Sequence, residues 1–339
     1  MKLIVQIPCF NEEATLPLTV RDIPREIDGI ESVEILVVDD GSTDGTVEAA
    51  RKAGVHHVVR NIRNRGLAKS FLVGLDASLR LGADIIVNTD GDNQYRGGDI
   101  PRLVEPILSG RAEMVVGDRR TGGIPHFSLK KKMLQKLGSF IVRRLSGTDV
   151  TDAVSGFRAF SREAALQLNI LSDYSYTVET ILQAGNKGIP IATITIGTNP
   201  KTRESRLMKH LFGFVTSQMA TMVRTYTMYR PLKVFTLMGG LFIFLGFIPS
   251  IRFLVNFLAG QQAGHIQSLI LASILFITGF QLIVVGIVGD VISFNRKLVE
   301  EILYRVRKIE LRSGPEEERK PADKDRSADR PSGEGGGFR

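Results

Sequence analysis

The sequence predicts an α/β fold built on a mainly parallel sheet and followed by a membrane-anchoring segment. Short β-branched runs alternate with helix-like segments over residues 1 to about 120, the order expected of a parallel sheet with crossover helices. Two of these runs, Ile35-Leu36-Val37-Val38 and Ile85-Ile86-Val87, end in paired carboxylates, Asp39-Asp40 and Asp90-Gly91-Asp92. Two long apolar stretches, at about 233–258 and 266–289, come late in the chain. Each is long enough for a hydrocarbon core, which needs about 20 apolar residues.

The elements follow in order. Leu3–Ile7, Glu34–Val38, His57–Arg60, Asp84–Asn88 and Met114–Gly117 read as strands, being short, apolar and bounded by turn residues. Glu13–Ile27, Thr46–Ala53, Ala68–Leu81 and Ile100–Leu108 read as helices, the second introduced by the turn and cap chemistry of Thr43-Asp44-Gly45. A Gly122-Gly123 turn, a helix carrying Lys130-Lys131-Lys132 and the segment Ser155-Gly156-Phe157-Arg158 come next. Tyr176–Asn186 reads as a further helix and Ile191–Ile196 as a last strand. These segments make residues 1–204 one α/β domain.

Residues 205–230 mix Leu207, Leu211, Phe214, Met219, Met222 and Val223 with Arg206, Lys209, His210 and Arg224. Such a helix suits a membrane interface; packing on the sheet is the other reading. Residues 231–295 hold the two apolar stretches. The loop between them, Ala259–His265, has no Lys or Arg, whereas Arg224, Arg230 and Lys233 precede them and Arg296, Lys297, Arg305, Arg307 and Lys308 follow. The positive-inside rule then puts the α/β domain and both termini on the cytoplasmic side of a multi-pass cell-membrane protein. Residues 296–339 read as a basic segment and, from about Arg312, a tail with too few apolar groups to fold alone.

Lys and Arg number 44 against 36 Asp and Glu, for a net charge of +8. A basic balance suits an anionic membrane surface or nucleic acid. The single cysteine, Cys9, leaves no zinc-finger spacing, so the membrane is favoured and no nucleic-acid partner is expected. One cysteine also forms no internal disulfide, which fits a reducing compartment.

In an open parallel sheet, ligands bind outside the carboxyl ends of the strands. Two acidic clusters at two such ends can therefore converge on one site. A carboxylate pair there binds a metal, a sugar hydroxyl or a nucleobase N–H. Asp90-Gly91-Asp92-Asn93-Gln94 is oxygen-donor chemistry suited to a hard divalent cation. Taken singly, Pro8-Cys9-Phe10-Asn11-Glu12-Glu13, Asp39-Asp40-Gly41-Ser42 and Asn64-Arg65-Gly66-Leu67-Ala68 could each be a turn or helix start.

Their order is more specific. PCFNEE, VVDDGSTDGT, NRGLAKS, NTDGDNQ, VVGDR and DAVSGFRAFS together resemble the family 2 glycosyltransferases of the GT-A, Rossmann-like fold. Within that family they resemble dolichol-phosphate mannose synthases and bacterial polyprenyl-phosphate glycosyltransferases, over about residues 1–210. The resemblance implies inverting, metal-dependent transfer of a hexose from a UDP- or GDP-sugar to polyprenyl phosphate, with Mg²⁺ or Mn²⁺ as cofactor. It implies that Pro8, Phe10, Glu12, Val37 and Asp39 hold the nucleoside. Asp90, Gly91, Asp92 and Gln94 match the metal and diphosphate site, with Asp90, Asp92 and Gln94 as metal ligands. Arg119 matches a diphosphate-contacting arginine, and the catalytic group is Asp90, Asp92 and Arg119.

The acceptor side departs from the family pattern. Lys131 and Gln135 stand where the family has Arg and Ser, and Arg203 and Arg206 stand in a loop that lacks the family's Gly and its Lys. Lysine keeps the charge but loses two-point phosphate recognition. A homo-oligomer stays open. One alternative is a membrane polysaccharide synthase of the same fold, but its Q-x-x-R-W segment needs a tryptophan and this chain has none. Another is a non-catalytic membrane scaffold, against which the intact acidic motifs argue. No G-x-G-x-x-G follows the first strand, so a dinucleotide oxidoreductase is not expected.

The charge pattern makes a direct prediction. Topology reporters fused at residue 1 and at residue 339 should both report the cytoplasm; reporters on opposite faces would overturn the two-span topology.

Overall fold

The computed structural model describes residues 1–120, 129–172, 176–200, 211–260 and 266–313. Its strands are β1 (Lys2–Cys9), β2 (Ser32–Asp39), β3 (His57–Arg60), β4 (Ile85–Asn88), β5 (Met114–Asp118), β6 (Arg158–Ser161) and β7 (Ile191–Thr195). They form one sheet in the order β3-β2-β1-β4-β6-β5-β7. Every pairing is parallel except those of β6, which runs antiparallel to β4 and β5.

The central strands are apolar on both faces because both are covered. Ile4, Leu36, Val38 and Ile86 pack with Phe71 and Leu75 of α3 (Leu67–Arg80). Leu3, Val5, Ile35, Val37 and Val87 pack on the other side with Leu103 and Val104 of α4 (Ile100–Leu108).

Two expectations need correction here. The first helix, α1, covers only Leu16–Asp22 rather than Glu13–Ile27. Ile23 is already extended ahead of Pro24, because the proline ring disfavours helical backbone in the residue before it. The strand β6 was not anticipated. It is four residues long, begins with an arginine, and gains its ladder only by insertion between β4 and β5. Ser161 then caps α6 (Arg162–Gln167), accepting a hydrogen bond from the Ala164 N–H at 3.0 Å. The other helices of this part are α2 (Thr46–Lys52), α5 (Leu129–Ser146) and α7 (Thr177–Lys187). The Gly122-Gly123 turn lies outside the described residues.

Beyond them, α8 (Leu211–Tyr229) packs against α7. It buries Gln218, Met222, Thr225 and Tyr229 and leaves Met219 and Val223 exposed. One face of this helix therefore meets protein. Residues 201–210, at the start of the expected interfacial helix, lie outside the described residues.

α9 (Pro231–Leu258) and α10 (Ile266–Ser313) pack along one another and are long and apolar enough to cross a membrane. Their large apolar side chains are mostly exposed. The helices touch backbone to backbone at Gly239 and Gly279, where a Cβ on either would come 2.6 or 2.7 Å from the other's carbonyl oxygen. Close approach through small residues is how helices pack in lipid.

α10 does not end near residue 289. It continues as one helix of 48 residues to Ser313, about 70 Å at 1.5 Å per residue, roughly twice the hydrocarbon thickness. No Gly or Pro occurs between Gly289 and Gly314-Pro315. Arg296–Glu300 and Glu301–Arg305 pair one turn apart. The expected basic segment is thus helical as far as residue 313, and residues 314–339 lie outside the described residues.

The glycine contact predicts a contrast between neighbouring positions. Gly239→Leu should separate α9 from α10 and cost about 2 kcal/mol, read as a lowered thermal midpoint in detergent. Gly240→Leu, where a Cβ meets nothing within 4 Å, should leave the midpoint unchanged. Equal effects would remove the contact from the packing.

Candidate active site

The site forms where β1, β2 and β4 end side by side. Cys9 pairs with Asp39 across the first two strands, and β4 runs out through Asn88 into Asp90-Gly91-Asp92. The loop after β1 is stitched to the loop after β2. The Asn11 N–H donates to Ser42 Oγ at 2.9 Å, the Thr43 N–H to Asn11 Oδ1 at 2.8 Å, and the Glu12 N–H to Thr46 Oγ1 at 2.9 Å. Asn11 adopts a φ of 55° to make this turn, a region asparagine tolerates better than most residues.

The adjacent carboxylates Asp39 and Asp40 do different work. Asp40 accepts from Asn61 Nδ2 at 2.8 Å and from the N–H groups of Arg65 at 2.9 Å and Gly66 at 2.8 Å. It clamps the loop 61–66 onto the sheet. That loop lies so close that a Cβ on Gly41, whose φ is +74°, would come 2.7 Å from the Arg63 carbonyl carbon. Asp39 is fully buried at the end of β2. Its Oδ1 accepts from the Ser42 N–H at 3.1 Å. Its Oδ2 lies 3.1 Å from Arg60 Nε but receives no well-directed hydrogen bond among the described residues.

Asp90 and Asp92 are half-buried. The Gln94 N–H donates to Asp92 Oδ1 at 3.2 Å, across Asn93 at a φ of 56°. A Cβ on Gly91 would come 2.8 Å from Cys9 Sγ and 3.4 Å from Glu12 Cγ, so only glycine lets the β4 loop approach this closely. Burial, then the negative charges of Glu12, Asp39, Asp90 and Asp92, push the Cys9 thiol well above its ordinary pKa. All four carboxylates act on one buried sulfur.

Arg119, just past β5, forms a two-point pair with Asp152: Nε donates to Oδ2 at 2.7 Å and Nη2 to Oδ1 at 3.0 Å. Burial works against its charge, but the carboxylates of Asp152, first, and Asp90 outweigh it and hold its pKa above the ordinary value. The guanidinium is therefore fixed as a cation beside the acidic cleft.

A buried polar network sets the far wall. Gln6 Nε2 donates to Asn88 Oδ1 at 2.9 Å, and Asn88 Nδ2 donates to the Tyr176 hydroxyl at 2.8 Å and the Gly156 carbonyl at 2.9 Å. The Gly156 N–H donates to the Tyr95 hydroxyl at 2.8 Å. Burial raises the Tyr95 pKa to about 12, so it stays protonated. A Cβ on Gly156 would come 3.0 Å from Asp90 Oδ1. Arg158, fully buried, donates to the carbonyls of Ser155 at 2.8 Å, Thr177 at 2.6 Å and Ala153 at 2.9 Å, and to Thr180 Oγ1. Burial lowers its pKa to about 10. Within Asp152–Arg158, then, the first residue orients Arg119 and the last shapes the loop.

The structure brings Glu12, Asp39, Asp90, Gly91 and Asp92 together, with Gln94 two residues beyond and Arg119 beside them. Phe10 is half-buried and Pro8 buried at the end of β1. Val37 has no exposed surface, lies two residues before Asp39 on the same face and packs in the core. Lys131 and Gln135 fall on α5, with side chains outside the described residues, as are Arg203 and Arg206. At the last described residues before them, the Asn199 N–H donates to the Gln94 carbonyl at 2.9 Å. The motif DAVSGFRAFS carried Asp152 but not its pairing with Arg119, and sequence reasoning missed Asn88, Tyr95 and Tyr176. The signal for Asn88, and for Gln6, was an amide within an otherwise apolar strand.

No group of three or more His, Cys, Asp or Glu poised to hold a metal occurs among the described residues. Asp90 and Asp92 offer two hard oxygen donors at an open strand end. That set fits Mg²⁺ or Mn²⁺, which are bound through one or two carboxylates with substrate phosphates completing the shell.

Residues 4–168 match the model of a protein family described as glycosyl transferase family 2. The chain is 35% identical over 202 residues to an uncharacterised protein of Methanocaldococcus jannaschii, covering 58% of this chain and 81% of that protein. It is 30% identical over 207 residues to the undecaprenyl-phosphate mannosyltransferase of Micrococcus luteus, covering 58% and 83%. Among solved structures it is similar to glucosyl-3-phosphoglycerate synthase of Mycobacterium tuberculosis in complex with Mn²⁺, uridine diphosphate and glucosyl-3-phosphoglycerate. The TM-score is 0.54 and the identity 24%, over 66% of this chain and 79% of that one.

The division of labour between Asp39 and Asp40 is testable. Asp40→Ala should cost about 3 kcal/mol, because it orphans buried donors, and should expose loop 61–66 to limited proteolysis. Asp39→Ala should leave that loop protected. Equal proteolysis in both variants would contradict the assignment.

Proposed function

The chain belongs to glycosyl transferase family 2, and on that premise we propose that it transfers a hexose from a UDP- or GDP-sugar to a polyprenyl phosphate, with inversion. It is a glycosyltransferase of GT-A fold with two apolar C-terminal helices. The observation that carries the finer reading is the convergence of Glu12, Asp39, Asp90 and Asp92 at one set of strand ends, in a chain whose last helices are built for a membrane.

Asp39, with Pro8, Phe10, Glu12 and Val37, would hold the nucleoside, its carboxylate accepting from a nucleobase N–H. Asp90 and Asp92, with Gln94, would hold Mg²⁺ or Mn²⁺. When bound, the ion would neutralise charge on the leaving diphosphate. Arg119, kept cationic and oriented by Asp152, adds positive charge on the same side. A lipid monophosphate is already anionic near neutral pH, so it can attack the anomeric carbon without a strong general base. Direct attack with no nucleophilic residue intervening gives inversion.

Lys131, Gln135, Arg203 and Arg206 are the proposed acceptor-phosphate residues. Arg203 and Arg206 follow Asn199, which is hydrogen-bonded at the edge of the acidic loop. The Micrococcus relative's name supports a polyprenyl-phosphate acceptor, and the positive-inside pattern supports catalysis at the cytoplasmic face.

Purified full-length enzyme, given polyprenyl phosphate and a panel of UDP- and GDP-sugars, should form a lipid-linked monosaccharide only when the lipid is present. Polymer formation without that lipid would favour the polysaccharide-synthase alternative. Asp92→Ala should abolish transfer while leaving the thermal midpoint unchanged, since losing a metal ligand removes several kcal/mol of transition-state stabilisation. Near-normal turnover in this variant would remove Asp92 from the mechanism.

A further inference from the structure

We propose that the last third of α10 is a strut that fixes the height and tilt of the active-site mouth above the membrane, with Glu300 and Arg307 as positioning residues for a membrane-embedded acceptor. The inference rests on the polyprenyl-phosphate reading above. Its basis is a second connection between the catalytic domain and the spans. The first is covalent: Tyr229 ends α8, Pro231 begins α9, and only Arg230 lies between. A single joint of that kind is a hinge.

The second connection runs along one stripe of α10. Glu300 pairs with Lys187 Nζ of α7 at 2.9 Å and with Arg296 Nε at 2.8 Å, and accepts from the Tyr229 hydroxyl of α8 at 3.2 Å. The Arg296 guanidinium lies 4.7 Å from the centre of the Tyr229 ring. Glu300, Lys187 and Arg296 are 12%, 16% and 19% exposed, well away from the surface regime in which ion pairs count for little. Three helices are thus joined where both spans leave the domain.

One to two turns further, α10 grips the domain again. Arg307 Nη1 donates to the carbonyls of Leu166 and Leu168, both at 3.1 Å. These lie at the end of α6, where helix carbonyls lack internal partners. The Tyr304 hydroxyl donates to Glu163, and Lys308 Nζ lies 3.7 Å from the same carboxylate. Tyr304 and Leu311 pack against the core. Residues 296, 300, 304, 307, 308 and 311 recur at spacings that put them on one helix face. Two grips and the Arg230 joint leave the domain no free rotation.

A lipid phosphate is held at the bilayer surface, whereas the donor is held in the cleft. Their separation then depends on how the domain is set on the spans. Misplacement by about 1 Å can cost about 100-fold in rate. A water-soluble acceptor carries no such constraint.

The experiment compares wild type with Glu300→Gln/Arg307→Met on two acceptors: a long-chain polyprenyl phosphate in vesicles and a two-isoprene phosphate in solution. The expected result is at least a tenfold loss of kcat/KM on the vesicle acceptor, with the soluble acceptor within twofold of wild type. Arg307→Lys should retain most of the vesicle activity. Independently of activity, spin labels at Lys52→Cys and Leu258→Cys, both exposed positions, should give a narrow distance distribution in nanodiscs. Glu300→Gln should broaden it. The buried Cys9 leaves such labelling selective. Equal losses on both acceptors, or an unchanged distance distribution, overturns the strut. A wild type that ignores both lipid phosphates instead overturns the functional reading beneath it.

Discussion

Four carboxylates, Glu12, Asp39, Asp90 and Asp92, bear on one buried thiol at the end of β1. Gathering like charges in a partly buried cleft is unfavourable unless cations face them, and much of the fold around the site follows from this. Arg60 meets Asp39, and Arg119 lies near Asp90 with its charge fixed by Asp152. The closeness itself needs small residues at the contact points. Cys9 and Gly91 nearly touch, and Gly156 abuts Asp90. The remaining negative potential at Asp90 and Asp92 is what a divalent ion carrying a nucleotide diphosphate would answer.

Keeping those strand-end loops in shape falls to a framework of buried hydrogen bonds. Asp40 holds the 61–66 loop, while the Gln6–Asn88–Tyr176 chain and Arg158 hold the loop before β6. Nearly every donor in this framework reaches a backbone carbonyl or a side-chain acceptor, as burial requires. The neighbouring aspartates 39 and 40 show the principle at its smallest scale. One is saturated with hydrogen bonds and serves the scaffold. The other, Asp39, keeps one oxygen without a hydrogen bond among the described residues, beside Arg60.

The parallel strands were legible because a strand buried on both faces is a continuous apolar run, and Ile35–Val38 and Ile85–Val87 are such runs. The acidic strand ends were legible for the same reason: polar residues directly after an apolar run mark where a strand opens. What escaped depended on contacts distant in sequence. β6 is too short to show a period and exists only through its two neighbours. Asp152 opens the DAVSGFRAFS motif, but its partner Arg119 is 33 residues away in sequence. The Arg296–Leu311 stretch reads as charge facing water because its helical stripe is made of Glu300, Tyr304 and Arg307. Those residues become half-buried only once the domain is laid against them. Lys131, Gln135, Arg203 and Arg206 rest on the sequence alone.

The central claim is that Asp90 and Asp92 form half of a metal site that the donor diphosphate completes. Mn²⁺ binding followed by electron paramagnetic resonance, with and without UDP or GDP, tests it most directly. Two carboxylates alone should bind Mn²⁺ weakly, and the matching nucleotide diphosphate should tighten binding at least tenfold, a gain that Asp92→Ala abolishes. Tight Mn²⁺ binding without nucleotide, or no gain with either nucleotide, would contradict it.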